Sequence, residues 1–391
     1  MSGQVAIVGV DTGHFWKAAP GVYFKDMMFE ATKRAHQATG LTEKDIQSII
    51  TTGEDFTEGR AIADEFTPDQ IGGILKPNIR LCADSIYGLF TGIMQIQAGL
   101  FDIVAVVGYD KPSEIVGLSY LESRALDPLL QRPLNANPQA IAGLEMKRFM
   151  ETRGVSRGQV SKVVVKNKKN GSTNPRAIYG NKVSAAGVTG SLPVALPLRE
   201  LDVAPCCDGA VVVILASAEK AKKITPKPVW IKGMGWGSDA SSLSWTDTDL
   251  ARAGYMEIAA AKAYKMARIK NPSKEVGLAE IDDRYSYKEL MHAEALGLCT
   301  RSGAASGAAK DLEKGRFDRN GALPVNPSGG SIAMGYPLTA SGLVRVAECF
   351  LQLRGEGGGA QVDKKLKTAV AAGWNGLPSR SGGVVVLGGD A

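Results

Sequence analysis

An internal echo does most to limit what this chain can fold into. Residues 103–110 read IVAVVGYD and residues 368–376 read TAVAAGWNG. Each is an apolar run that stops at a glycine, continues with an aromatic residue and closes on Asp110 or Asn375. Each also follows a small-residue loop and a long apolar stretch. In the first copy, Ile86, Leu89, Phe90, Ile93 and Ile96 recur at helical spacing and much of the other face is apolar too, which predicts a helix buried on both sides. The strands VAIVGV, IQSIITTG and DGAVVVILAS in the first half have counterparts in PVWIKGMGWG, GLAEIDD and GGVVVLGG in the second. Two duplicated α/β units explain the pattern with the fewest assumptions, and residues 1–222 and 226–391 are the expected halves. Residues from about 111 to 205 break it. A proline-rich start, one clear helix (AIAGLEMKRFMETRG), a basic stretch and the turn-rich GSTNPRAIYGN mark an insertion into the first half.

Composition narrows the class. The 391 residues carry 46 Lys and Arg against 40 Asp and Glu, a mild excess spread along the chain that gives no reason to expect nucleic acid as a partner. The densest run, KVVVKNKKNG at 162–171, is expected to be a solvated face. The five cysteines, Cys82, Cys206, Cys207, Cys299 and Cys349, are odd in number and lack zinc spacing, so a reducing, cytoplasmic setting without a bound metal is expected. No apolar run approaches the roughly 20 residues of a bilayer span.

Four places could carry chemistry. Cys82 falls where a strand gives way to the buried helix, and unpaired N–H groups at a helix start favour a thiolate. Asp84, two residues on, opposes that charge. The loop NPSGGSIAMGYPLTASG, 326–342, is almost uncharged, leads into another helix, and sets Tyr336 between Gly335 and Pro337, where backbone N–H groups could face an anion. It is neither a P-loop nor a dinucleotide fingerprint, and GMGWG at 233–237 is equally weak as a nucleotide motif. EIDDRYS, 280–286, could be an acid/base group, or a loop capping a helix with Ser286 and Glu289 as a capping box. His14, His36 and His292 are expected to be surface or internally satisfied histidines.

Together these elements resemble the thiolase superfamily, and within it the sterol-carrier-type and archaeal thiolases, over nearly the whole chain. Cys82 stands at the family's distance from GLFD (99–102). VKNKKNGSTNP resembles the insertion motif, and CCDGAVVVILAS resembles the strand that begins Asp-Gly-Ala. The loop at 326–342 resembles the most recognisable motif, which normally reads Gly-His-Pro. The segment at 280–286 resembles one that normally reads His-Asp-Cys-Phe. The resemblance implies an α/β thiolase fold: two duplicated βαβαβαββ halves in a five-layer α-β-α-β-α arrangement, with the insertion as a loop domain. It also implies that Cys82 is the nucleophile. Tyr336 takes the place of the catalytic histidine, Asp282 that of a second histidine and Arg284 that of a second cysteine.

That altered set puts ordinary acetyl transfer in doubt and points to thiolytic, retro-Claisen cleavage of a 3-oxoacyl-CoA by an acyltransferase. The pattern resembles a branch, including benzoylsuccinyl-CoA thiolase of toluene degradation, whose large subunits work with a small OB-fold/zinc-ribbon accessory protein. Coenzyme A would be a co-substrate, with no bound cofactor, and a homodimer is implied. In the expected chemistry Cys82 attacks the keto carbon and backbone N–H groups of Cys82 and Gly376, with Gly335 nearby, hold the oxyanion. Tyr336 donates to the enolate, Asp282 carries a proton, and Arg284 balances a carboxylate or binds one on the substrate. The alternatives are a retro-aldolase on a CoA ester using Tyr336 and Tyr285, or a non-catalytic acyl-CoA-binding scaffold.

Overall fold

A computed structural model describes residues 3–54, 66–134, 136–239, 249–299, 305–377 and 380–389. In the first half, β1 (Val5–Asp11), β2 (Ser48–Thr52), β3 (Asn78–Leu81), β4 (Ile103–Asp110) and β5 (Gly209–Ser217) lie in the order β3-β2-β4-β5-β1. In the second, β6 (Val229–Ser238), β7 (Leu278–Glu280), β8 (Thr368–Trp374) and β9 (Ser381–Gly388) follow as β6-β9-β8-β7, and Val325 forms a parallel bridge with Ala279 where a fifth strand would stand. The two orders are the same when read by role, and so are the strand directions. β2 runs parallel to β4 as β7 does to β8, and β4 is antiparallel to β5 as β8 is to β9.

The half-sheets meet edge to edge through a short antiparallel pairing of β1 with β6, Ala6 opposite Trp230 and Ile7 opposite Val229. Between them lie two helices, α2 (Ser85–Gln97) and α8 (Ser341–Arg354), and each touches strands of both halves. α1 (Phe24–Thr39) covers the outer face of the first half-sheet and α6 (Gly254–Ala267) that of the second, so the layers run α-β-α-β-α. Strands β4, β5 and β8 are buried nearly throughout, which is why they read as continuous apolar runs instead of alternating ones.

GMGWG turns out to be a packing device. A Cβ on Gly233, Gly235 or Gly237 would stand 2.1, 2.3 or 2.4 Å from backbone oxygens of α6, so three glycines on one face of β6 let the helix lie directly on the strand. The insertion carries α3 (Leu118–Ser123), α4 (Pro138–Arg153) and α5 (Arg157–Gly171). Here two expectations fail. The basic stretch is not a solvated face: Lys166 and Lys168 are buried, and Lys166 Nζ pairs with Glu289 at 3.1 Å and donates to the Val325 carbonyl. Nor do Ser286 and Glu289 form a capping box on α7 (Ser286–Ala295), whose cap is Tyr285. Ser286 donates to Asp202, while Glu289 accepts from Asn167 and Asn326. Buried charge needs partners, and the partners of this carboxylate came from the insertion and from the loop before 330.

Candidate active site

The repeated Gly–aromatic–Asx signature positions the site. At the end of β4, Asp110 Oδ2 accepts from Thr339 Oγ1 (2.7 Å) and from the Ala340 amide (3.0 Å), just ahead of α8. At the end of β8, Asn375 Oδ1 accepts from the Asp84 amide (2.6 Å), just ahead of α2. Each half therefore fixes the start of the other half's central helix. The two starts also bond to each other, through Leu343 N to Ser85 Oγ (2.8 Å) and Ser341 Oγ to Asp84 Oδ2 (3.2 Å). A cavity of about 440 Å³ opens at this junction.

Cys82, Tyr336 and Arg284 all line it, together with Asp84, Trp374 and Asn375. Three segments more than 40 residues apart in sequence thus converge on one space. Cys82 is exposed and in no disulfide. It does not begin the helix, however. α2 starts at Ser85, and its cap is Asp84, whose Oδ1 accepts from Ile86 N. Cys82 stands two residues before that cap, outside the helix whose dipole was expected to act on it.

Tyr336 is buried, and burial pushes its phenol well above the usual tyrosine range even though Arg284 opposes the shift. The Arg284 guanidinium lies 4.8 Å from the centre of the Tyr336 ring and pairs with Glu122 of α3. The phenol therefore keeps its proton at neutral pH and serves as a hydrogen-bond donor. Gly376, at φ 79°, lies against both groups. A Cβ there would come within 2.9 Å of Arg284 Nη1 and 3.9 Å of the Tyr336 hydroxyl, so the loop after β8 requires glycine at this point.

Other expected site residues lie elsewhere. Asp282 is fully buried behind the cavity, 2.7 Å from Arg345 Nη2, and its Oδ1 accepts from the Arg284 amide. It is an ion-pair partner that does not reach the cavity wall. Gly335 is turned away as well. Its N–H donates to the Ser331 carbonyl (3.0 Å), and a Cβ there would strike Cys207 Sγ at 2.7 Å, so that amide is not available to an oxyanion. His292 is a satisfied core histidine, held between the Tyr255 hydroxyl (3.0 Å) and the Asp282 carbonyl (3.2 Å), with burial pushing its pKa down to about 3. Tyr285 packs against Trp374 and Tyr287, and burial raises its phenol to about 12.

Sequence reasoning missed Glu122, Asn375 and Arg380. Asn375 was visible as the counterpart of Asp110 in the echo. Glu122 carried no local signal, because its partner Arg284 is 162 residues away. Arg380, also on the cavity wall, is held by Asp239 (3.1 Å) and by the Arg252 carbonyl (2.9 Å).

Fold and site together define a class of enzyme, and comparison with known proteins agrees. Residues 237–389 match the family described as thiolase C-terminal domain-like. An acetyl-CoA acetyltransferase of Methanothermobacter thermautotrophicus is 32% identical over 370 residues, covering 92% of this chain and 93% of that protein. Sterol carrier protein 2 of Oryctolagus cuniculus is 32% identical over 294 residues, 72% of this chain and 53% of that protein. A solved structure of the Ltp2-ChsH2(DUF35) aldolase superposes with a TM-score of 0.83 over 99% of this chain and 98% of that one; at 22% identity it shows the fold. The chain belongs to the thiolase superfamily, in the branch that holds the archaeal and sterol-carrier-type thiolases. It is an enzyme of the acyl-CoA C-acyltransferase type. No helix among the described residues is long and apolar enough to cross a membrane.

Proposed function

We propose that this chain catalyses CoA-dependent thiolytic cleavage of a 3-oxoacyl-CoA through an acyl-Cys82 intermediate. The observation that carries the reading is the convergence of an exposed cysteine, a buried phenol and a guanidinium on one cavity. In this reading the Cys82 sulfur adds to the keto carbon, and the oxyanion is held by the Cys82 and Gly376 amides. As the carbon–carbon bond breaks, the departing CoA ester leaves as an enolate, whose oxygen Tyr336 and Arg284 stabilise. A donor that keeps its proton suits an enolate oxygen, so tyrosine works where an imidazole base would be needed for condensation. CoA then attacks the acyl-cysteine.

Arg284 also favours an acyl group that bears a carboxylate. It is a fixed planar cation on the cavity wall, and its partner there is Glu122. Benzoylsuccinyl-CoA, giving benzoyl-CoA and succinyl-CoA, has the required aromatic and carboxylate parts. A homodimer, a small OB-fold/zinc-ribbon accessory subunit and a cytoplasmic setting belong to the same reading; the superposition on an aldolase that contains a DUF35 component supports the accessory subunit. That superposition, with Tyr336 in the cavity, also supports retro-aldol cleavage as a second reading. The test is turnover of a panel of aromatic and aliphatic 3-oxoacyl-CoAs, with and without free CoA, by the wild type and by Cys82→Ser. Thiolysis requires CoA and disappears in the variant, whereas CoA-independent turnover that survives in it establishes aldol cleavage.

A further inference from the structure

The proposed reaction needs a group that both accepts and returns a proton, and neither the tyrosine nor the arginine does so at neutral pH. We propose that Asp84 is that catalytic residue, exchanging protons with the Cys82 sulfur, the departing enolate and the incoming CoA thiol. This inference rests on the reading of the cavity around Cys82 as the reaction site.

Geometry supports it first. Asp84 lies two residues from Cys82, and both line the same cavity. Its carboxyl sits in a slot that two glycines keep open. A Cβ on Gly342 would come within 1.9 Å of Asp84 Oδ1, and one on Gly373 within 2.4 Å. Both glycines belong to the second half of the duplication, at the start of α8 and in β8, whereas Asp84 belongs to the first, so neither element leaves room for a side chain where the carboxyl stands. Capping α2 alone does not require that enclosure, because any exposed Asp, Asn or Ser caps a helix equally well.

The surroundings set its proton affinity. Burial raises the Asp84 carboxyl from the ordinary value to about 7, and Asp282 adds to the rise. Arg345 of α8, the Ile86 amide and the Ser341 hydroxyl act in the opposite direction. Tyr87 on α2 and Tyr336 on the cavity wall interact with the same carboxyl, and both phenols are neutral in this range. A group half-ionised near neutrality serves equally as base and as acid. Glu122 and Asp239 on the same wall are held by Arg284 and Arg380. Glu54 also lines the cavity and is the control.

The proton balance closes. The Asp84 carboxylate takes the Cys82 thiol proton as sulfur bonds to the keto carbon and the carbonyl pair moves to oxygen. When that pair returns, the carbon–carbon bond breaks and its electrons form the enolate, whose carbon the Asp84 carboxyl protonates. The regenerated carboxylate then takes the CoA thiol proton as CoA attacks the acyl-cysteine, and passes it to the departing Cys82 sulfur.

Asp84→Asn keeps the cap and the shape while removing the titration. The experiment is carboxamidomethylation of Cys82 by iodoacetamide from pH 5 to 9, read by peptide mass spectrometry, in the wild type, Asp84→Asn and Glu54→Gln. The wild type and Glu54→Gln should show a rate inflection near pH 7 that Asp84→Asn lacks, and kcat of Asp84→Asn on any panel ester should fall on the order of 10²-fold or more with little change in KM. Identical alkylation profiles for Asp84→Asn and the wild type, or loss of the inflection in Glu54→Gln instead, overturn the inference. A wild type that turns over no panel ester yet shows the Asp84-dependent inflection defeats the functional reading while leaving the proton exchange between Asp84 and Cys82 standing.

Discussion

Replacing Asp282 with Asn separates structural from catalytic roles at the position where the family carries a histidine. Asp282 and Arg345 are both almost completely buried, and their ion pair spans 2.7 Å. Removing one partner of such a pair leaves the other charged and desolvated, at a cost of roughly 3–5 kcal/mol. Arg345 also feels Asp84 and Asp283, which can take up part of the lost compensation, so the lower end, about 3 kcal/mol, is expected. At roughly 2–4 °C per kcal/mol, Asp282→Asn should lower Tm by about 6–12 °C. The amide can still accept from the Arg284 N–H, so the backbone that carries Arg284 should hold its place. Scanning calorimetry gives the Tm, and kcat per folded molecule at 20 °C, well below the transition, gives the chemistry. Tm should fall by that amount while kcat stays within a few fold of the wild type. An unchanged Tm with kcat reduced a hundredfold would show that Asp282 acts on substrate, and the placement argued above would be wrong.

Other perturbations probe the same junction. Asp84 and Asp283 are raised by burial to about 7 and Glu280 to about 8, so the folded state holds protons that the unfolded chain has released above pH 4–5. Stability should therefore fall as pH rises from about 5 to 8 and level off beyond, read as the urea midpoint; a midpoint that rises over that range contradicts these burials. Glu122→Gln frees Arg284, and should lower KM for 3-oxoacyl-CoAs that carry a carboxylate while leaving uncharged ones within about twofold; equal effects on both would remove Arg284 from substrate recognition. Gly342→Ala places a methyl into Asp84 Oδ1 and should destabilise by roughly 1–3 kcal/mol, as overpacking of a close-packed site does, seen as a lower denaturation midpoint.

The fold was legible because its signal is local and repeated. Buried strands of β4 and β8 had to be apolar throughout, and each had to end on a residue that ties down the partner half, so the echo survived in sequence. Cys82, Tyr336 and Arg284 were legible because they stand in motifs whose spacing is fixed by the strands and helices beside them. What the sequence hid depends on long-range burial. What separates Cys82 from the helix start is Asp84, whose amide is anchored by Asn375, 291 residues away. Asp282 reads as a site carboxylate until Arg345 is seen against it, and the lysines of α5 read as surface until Glu289 and Val325 close over Lys166. Charged residues are buried only when paired, and pairing between segments far apart in sequence leaves no periodicity to read.

Covalent catalysis by the sulfur of Cys82 is tested most directly by the mass of its peptide. After the wild type is mixed with a 3-oxoacyl-CoA that it consumes, in the absence of free CoA, and quenched in acid, the peptide carrying Cys82 should be heavier by the acyl group, and adding CoA before the quench should restore its original mass. Consumption of the ester with that peptide unmodified at every time point would contradict covalent thiolysis.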